Sequence, residues 1–344
     1  SAIQVGSVGG EWMVIGLARA GLLTDEQAAD YYDNAVEYVK ANIDDQGRLH
    51  RARSTDNSRV ILGLTAIGKD VTDVGGYNLL TGLSDLEYLN RQGINGPIWA
   101  LIALDSHGYE IPELSGGGTQ ATRENIIMSI LDAQLSDGGW ALSGNSADPD
   151  MTAMAIQALA PYYDDNTDVR EAIDKGLAIL SEIQNEDGSY SSWGTTNSES
   201  SAQVVAALTA MGIDPDTDSR FIKNGSSALN ALLSYALENG GFAHTAGGTA
   251  NMMATEQGYN ALVAYYRYSE GENALYDMRD VTVENAGPGQ GSGEDQKDEP
   301  AAGDTGGQNY DNTQPVQNGQ TGQNAKTGDD RDMPLYVMMG IGAG

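Results

Sequence analysis

A phrase that the chain repeats with variations constrains it more than any other feature. Gln134-Leu-Ser-Asp-Gly-Gly-Trp140 is followed by a short polar stretch and then a nearly wholly apolar segment from Asp148. The phrase returns as Gln184-Asn-Glu-Asp-Gly-Ser-Tyr190, ahead of Ser201 to Met211, and again as Glu238-Asn-Gly-Gly-Phe242, ahead of Ala254 to Tyr266. Trp140, Tyr190 and Phe242 stand 50 and 52 residues apart. A recurrence in this range is the mark of an array of supersecondary units, each too small to bury its own apolar face. The Gly pairs Gly75-Gly76, Gly138-Gly139 and Gly240-Gly241 read as tight turns between helices. The aromatic after a turn reads as a plug between the two helices that the turn joins.

Two kinds of helix are predicted between the turns. Asp25 to Lys40, Arg123 to Ala133, Asp168 to Ile183 and Ser226 to Leu237 are amphipathic, with Asp85 to Asn90 as a shorter version. In the third of these Val169, Ala172, Ile173, Leu177, Leu180 and Ile183 recur at helical spacing, so one face is buried. Glu11 to Ala20, Arg59 to Ile67, Ile98 to Leu104, Met151 to Ala160, Ala202 to Met211 and Ala254 to Tyr266 are apolar all round. Helices of that kind lie inside. Strict alternation of the two kinds predicts an inner ring of six helices wrapped by an outer one, an all-α (α/α)6 toroid over residues 1–280. No outer helix stands before Glu11.

The 344 residues carry 49 acidic and 18 basic side chains, a formal charge of -31. Nucleic acid and anionic membrane surfaces select basic patches and are not expected partners. The absence of cysteine removes disulfides, thiolate nucleophiles and Cys-ligated zinc, and three scattered histidines (His50, His107, His244) do not make a metal site. No metal or other cofactor is expected. Residues 281–332 are rich in Gly, Gln, Asn, Asp, Glu and Thr and too poor in aliphatic side chains to form a core, which predicts a disordered polar linker. The apolar run at 333–344 is shorter than the roughly 20 residues of a membrane-spanning helix and reads as the start of a truncated membrane or sorting segment.

Gln134-x-x-Asp-Gly-Gly-Trp140 resembles the glutamine-tryptophan repeat of the terpene cyclase and prenyltransferase toroids, a barrel also found in complement thioester domains and in transcobalamin-type carriers. Gly93 to Leu104, Asp148 to Leu159 and Ala254 to Leu262 are similar to bacterial surface proteins with prenyltransferase and squalene oxidase repeats. The resemblance covers most of residues 9–280. It implies the toroid, while the function stays open, because such barrels host enzymes and binding proteins alike.

Three chemistries are open to such a barrel. Asp148-Pro-Asp-Met-Thr152 is similar to the Asp-x-Asp-Asp-Thr of class II cyclases, which would make Asp150 a proton donor with Asp148 beside it; Met151 stands where a further Asp is expected. The plain alternative is helix capping, with Asp148 at the N-cap, Pro149 at the first helical position and Asp150 in the first turn. Glycan cleavage would draw its paired carboxylates from Asp137, Asp150, Asp187, Glu199 and Glu256, with Trp99, Trp140 and Trp193 as sugar platforms. Corrinoid binding follows only from the likeness to the carriers, and no second, β-rich domain accompanies the barrel here.

At the tail, Lys326-Thr327-Gly328 ahead of acidic residues and an apolar run is similar to a sortase sorting signal, with Thr327 and Gly328 as the cleaved pair. The combined expectation is a cell-surface toroid, attached to wall or membrane through its tail. It would bind a small molecule or surface ligand at the barrel mouth, near Trp140, Asp148, Asp150, Trp193, His244 and Trp99. An enzyme acting on isoprenoid or glycan substrates through Asp150 is the rival.

Overall fold

The computed structural model describes residues 3–6 and 8–284. The expected linker from 285, the segment 333–344 and the pair Thr327–Gly328 lie outside the described residues.

Among the described residues eleven α-helices alternate in role with their number. The odd ones form the inner ring: α1 Glu11–Arg19, α3 Thr55–Ala66, α5 Asn95–Asp105, α7 Pro149–Leu159, α9 Ser198–Ala210 and α11 Met252–Glu270. Each packs on the next, and α11 returns to pack on α1, so the ring closes. This is the α/α toroid. The even helices lie outside: α2 Asp25–Asn42, α4 Leu86–Leu89, α6 Arg123–Asp132, α8 Thr167–Ile183 and α10 Ala228–Leu233. Burial follows the same division. In α5 every residue from Gly96 to Leu104 is buried, whereas α2 buries only Tyr31, Ala35 and Val39.

The repeat phrase is a turn that its own side chains close. Leu135, Asn185 and Leu237 donate their amides to the carbonyls of Gly139, Ser189 and Gly241, and the Asp or Asn two residues before each acceptor takes that acceptor's amide. Gln134 Nε2 adds bonds to Gly138 O and, on α8, to Ala172 O. Gln184 Nε2 repeats this with Gly188 O and Phe221 O. Each glutamine therefore pins its turn to the next unit of the array, which is what its position in the phrase accomplishes. The aromatics that follow are fully buried. A Cβ on Gly176 of α8 would stand 3.0 Å from the Trp140 ring, and one on Gly258 of α11 2.8 Å from Phe242, so any larger residue there would push on the aromatic plug. Asp44–Leu49 is a further copy, with Asp44 N bonded to Arg48 O and Leu49 buried. Its plug is aliphatic, so it lacks the aromatic that marks the other copies in the sequence.

Two outer elements differ from expectation. Ser226 to Leu237 was expected as one helix; Ser226–Ser227 instead form strand β4, paired with β3 (Ile222–Lys223), and α10 spans only Ala228–Leu233. Asn224-Gly225 supplies the tight turn before Ser226, and the Ser227 hydroxyl caps α10 at Asn230 N. A second two-stranded hairpin, β1 (Ser191–Ser192) with β2 (Thr195–Thr196), leads into α9.

The chain also stays with the toroid past residue 280. After α11 it crosses the C-terminal end of the ring. Arg19 Nε donates to Leu275 O, Met278 N to Ser106 O and Glu284 N to Gly68 O. Asp280 is shared by Arg19 at 2.7 Å and Arg267 at 2.6 Å. Among the described residues no helix is long and apolar enough to cross a membrane.

Candidate functional site

The inner helices all start at the same end of the ring, so their first turns gather there. Polar N-caps mark the starts of three of them. Asp148 accepts from Met151 N, Asn197 from Ser200 N and Asn251 from Ala254 N, and Pro149 occupies the first position of α7. The capping role foreseen for Asp148 is thus present. Its other oxygen accepts the Ser192 hydroxyl, tying the β1–β2 hairpin to the start of α7.

Inside this end lies a cavity of about 160 Å³. One wall is aromatic, with Trp12 of α1, Trp99 of α5 and Tyr276 from the crossing segment. Trp12 and Trp99 lie 4.8 Å apart between ring centroids, and Tyr276 meets Trp99 edge-on at 5.7 Å. The facing wall carries Gln203 and Gln257, linked by a bond of 3.1 Å that Gln157 extends with another of 3.1 Å. Leu275 and Tyr276 close the side nearer the helix C-termini.

Asp150 is the lone carboxyl in the lining. Burial pushes it up to about 6, with the Asp148 and Glu199 charges adding to the rise and the nearby Ser200 hydroxyl opposing it. Its Oδ1 is buried and makes no hydrogen bond of ordinary geometry. The sign of the effect on folding follows. A carboxyl raised from 3.8 to about 6 leaves stability intact below pH 4, lowers it as pH climbs from about 4 to 6, and contributes a constant penalty above. Asp150→Asn is expected to raise stability by about 1–3 kcal/mol at pH 8 and to leave it unchanged at pH 4, read from urea denaturation at both values. Equal gains at both would show that ionisation is not the cause.

Around this cavity the first turns carry further acids. Glu256 of α11 accepts the Gly9 amide at 2.6 Å, and burial raises it to about 7. Glu11 is held up by burial, although Arg59 lies 2.8 Å away. Glu199 of α9 has His244 Nδ1 at 2.8 Å from its Oε2, and that imidazole is half-exposed.

The expected site residues divide into three groups. Asp150 and Trp99 line the cavity. Asp148, His244 and Trp193 stand at the same end but outside it; Trp193 is 79% exposed at the hairpin tip. Trp140 belongs to neither group. The expectation that it reaches the mouth is corrected: it has no exposed surface, and its indole N–H donates to Ile130 O at 2.7 Å between α6 and α8. Asp137 and Asp187, weighed as glycan-cleaving acids, bond to the amides of their own turns. Trp12, Tyr276, Gln203 and Gln257 were not foreseen. Trp12 and the two glutamines sit within apolar-looking inner helices, and Tyr276 follows the last one. Polar residues interrupting an otherwise apolar helix were the available signal.

Trp193 also carries strain. Its φ is +52° and that of Gly194 is +78°, the pair of positive angles that a two-residue hairpin loop of type I′ demands. The β3–β4 hairpin fills the same two places with Asn224 and Gly225, at +48° and +84°. Left-handed backbone costs an ordinary residue roughly 1–2 kcal/mol and asparagine less. Trp193→Asn is therefore expected to stabilise the protein by about 1 kcal/mol, seen as a higher melting temperature. A strained, exposed tryptophan that lowers stability points to a role at the surface; a loss of stability on substitution would instead make it a packing residue.

No protein-family model matches the chain, and no curated protein matches it. Among solved structures it is similar to Candida albicans protein geranylgeranyltransferase-I complexed with GGPP, at 13% identity over 76% of this chain and 84% of that one, with a TM-score of 0.49. It is also similar to ent-copalyl diphosphate synthase from Streptomyces platensis (21% identity, 74% and 49% covered, TM-score 0.47). A third is the unsaturated glucuronyl hydrolase from Bacillus sp. GL1 (14% identity, 79% and 88% covered, TM-score 0.45). These are likenesses of chain trace at low identity, and no activity follows from them.

Proposed function

We propose that this chain is a ligand-binding module that admits its ligand at the N-terminal end of the inner ring and seats it in the central cavity, without chemistry of its own. The observation that carries this reading is the lining itself. Aromatic rings, amides and one carboxyl from five inner helices and the crossing segment converge on one cavity. Its volume of about 160 Å³ lies below the roughly 300–1,000 Å³ of sites that take drug-sized molecules. This favours a small group over a polyprenyl chain or a corrinoid. A lone lining carboxyl also gives no support to cleavage by two facing acids.

Display at the cell surface, with the tail joined to wall or membrane near Thr327 and Gly328, is part of the same proposal and rests on the sequence alone. Release of the protein from cells on Thr327→Ala, followed by fractionation, tests it.

The test of binding is a thermal-shift panel on the full chain with small polar compounds, cell-wall and host oligosaccharides, polyprenyl compounds and corrinoids. A ligand at a hundred times its Kd adds about 2.7 kcal/mol, a shift of several degrees. A rise with a small polar group or a sugar, and none with polyprenyls or corrinoids, is expected. A flat panel throughout rules against the module reading.

One observation favours an enzyme instead: Asp150 stays protonated up to about pH 6 beside aromatic rings, as a proton donor to an alkene or a glycosidic oxygen would. Turnover of such a substrate, lost in Asp150→Asn while binding persists, would decide for it.

A further inference from the structure

The central cavity presents aromatic rings from three separate elements, a buried carboxyl whose nearby donor is the Ser200 hydroxyl, and no arginine or lysine. A buried carboxylate with no cation beside it calls for an explanation. A bound cation would supply one. We propose that the cavity is a cage for the head of a small organic ammonium ion, quaternary or tertiary and of about choline's size, set against Trp12, Trp99 and Tyr276 with its charge offset by Asp150.

Size, chemistry and field agree on this guest. A cavity of about 150 Å³ accommodates benzene, and choline has about as many heavy atoms as benzene; the space here is about 160 Å³. The faces of tryptophan and tyrosine carry negative potential and attract alkylated ammonium groups, which shed water more readily than a bare ammonium. The charges that act on Asp150 are both negative, Asp148 at the cap of α7 and Glu199 on α9. None of the other elements against α7 places a cation that acts on Asp150. α5 carries one charged residue, Asp105, at its far end, and the β1–β2 hairpin carries none. Lys175 of α8 lies against Gly138, in the turn that precedes α7. His244 is engaged with Glu199. A chain of net charge -31 draws cations toward this mouth and repels diphosphates and other anions. Three exposed apolar side chains near the same end, Leu142, Met252 and Met253, offer contact to whatever the ammonium group is attached to.

The assignment rests on the cavity being the binding site, and the experiment separates the two claims. Calorimetric titrations of the full chain compare choline and tetramethylammonium with 3,3-dimethylbutanol, the uncharged isostere of choline, at pH 7.5 and pH 5 and constant ionic strength. The cations are expected to bind at pH 7.5 and to bind about tenfold more weakly at pH 5, because Asp150 must give up its proton to receive them. The isostere should bind more weakly than choline at pH 7.5 and without that loss at pH 5. Asp150→Asn should weaken choline at least tenfold at pH 7.5 and abolish the pH dependence, with circular dichroism confirming the fold. Trp99→Leu should weaken choline equally at both pH values. His244→Gln and Glu256→Gln should leave the fall with pH in place, since neither side chain lines the cavity.

Isostere binding equal to choline, or choline binding equal at the two pH values, overturns the ammonium assignment and leaves the cavity a binding site for neutral guests. A thermal shift with sugars alone has the same consequence. No response to any compound overturns the assignment together with the module reading.

Discussion

Replacing Trp140 with alanine is expected to cost about 3–5 kcal/mol and to lower the melting temperature by on the order of 10 °C. The side chain is wholly buried between α6, α7 and α8. Its ring edge occupies the space that Gly176 leaves by lacking a Cβ. Truncation would open a void at the join of two repeat units, and backbone on three sides would prevent collapse into it. The indole N–H would be lost, leaving Ile130 O without its 2.7 Å partner. Trp140→Phe should cost clearly less, because the ring volume largely remains. Ligand binding measured well below the melting point should change little for either variant, since Trp140 does not line the cavity. A loss under about 1 kcal/mol for the alanine variant would mean that the repeat aromatics are not struts.

Arg48→Ala should be comparably severe, at about 3–5 kcal/mol, for an electrostatic reason. Arg48 Nη2 lies 2.7 Å from Asp85 Oδ2, and both side chains are under 10% exposed. The guanidinium also stands 4.3 Å from the centre of the Tyr88 ring. Asp85 in turn receives the Glu87 amide and starts α4. Removing the arginine strands a buried carboxylate and exposes the weakest of the outer helices. The double variant Arg48→Met with Asp85→Leu should recover part of the loss, because the desolvation cost of the pair vanishes with both charges while the cap of α4 stays missing. Urea denaturation of the two single variants and the double gives the coupling. A double variant as unstable as Arg48→Ala would mean that packing against Tyr88 dominates.

The inner ring was legible because its signal is local and strong. Helices such as Ile98 to Leu104 or Ala202 to Met211 are apolar all round, and only an interior position accepts that. The structure extends each by a few residues, with polar caps at Asn197 and Asn251 standing outside the apolar run. The outer layer was less legible. Ser226 to Leu237 has helical periodicity, yet Asn224-Gly225 folds back and spends its first residues on a hairpin. Local turn chemistry overrode the pattern. The copy of the turn at Asp44–Leu49 was not legible from aromatic spacing, because leucine fills a gap that elsewhere takes an aromatic ring.

The candidate site divides along the same line. Asp148 and Asp150 were found from a motif at a helix start, and Trp99 from its residue type. Trp140, chosen for the same reason as Trp99, proved to be framework. Residue type cannot tell two tryptophans apart when one sits on an inner helix facing the axis and the other on a turn facing an outer helix.

The repeat spacing and the alternation of apolar and amphipathic segments determined by themselves that this chain would close into a toroid with its helix starts at one end. Those are properties of neighbours in sequence, where periodicity decides which face is buried. Only the tertiary structure decided what fills the middle. Trp12 and Tyr276 are separated by most of the chain, yet both stand beside Trp99. Gln157, Gln203 and Gln257 become a hydrogen-bonded row because ring closure sets their helices side by side. Asp150 titrates near 6 because burial and two neighbouring carboxylates act on it at once. Each of these depends on distances between remote segments, which no local pattern encodes.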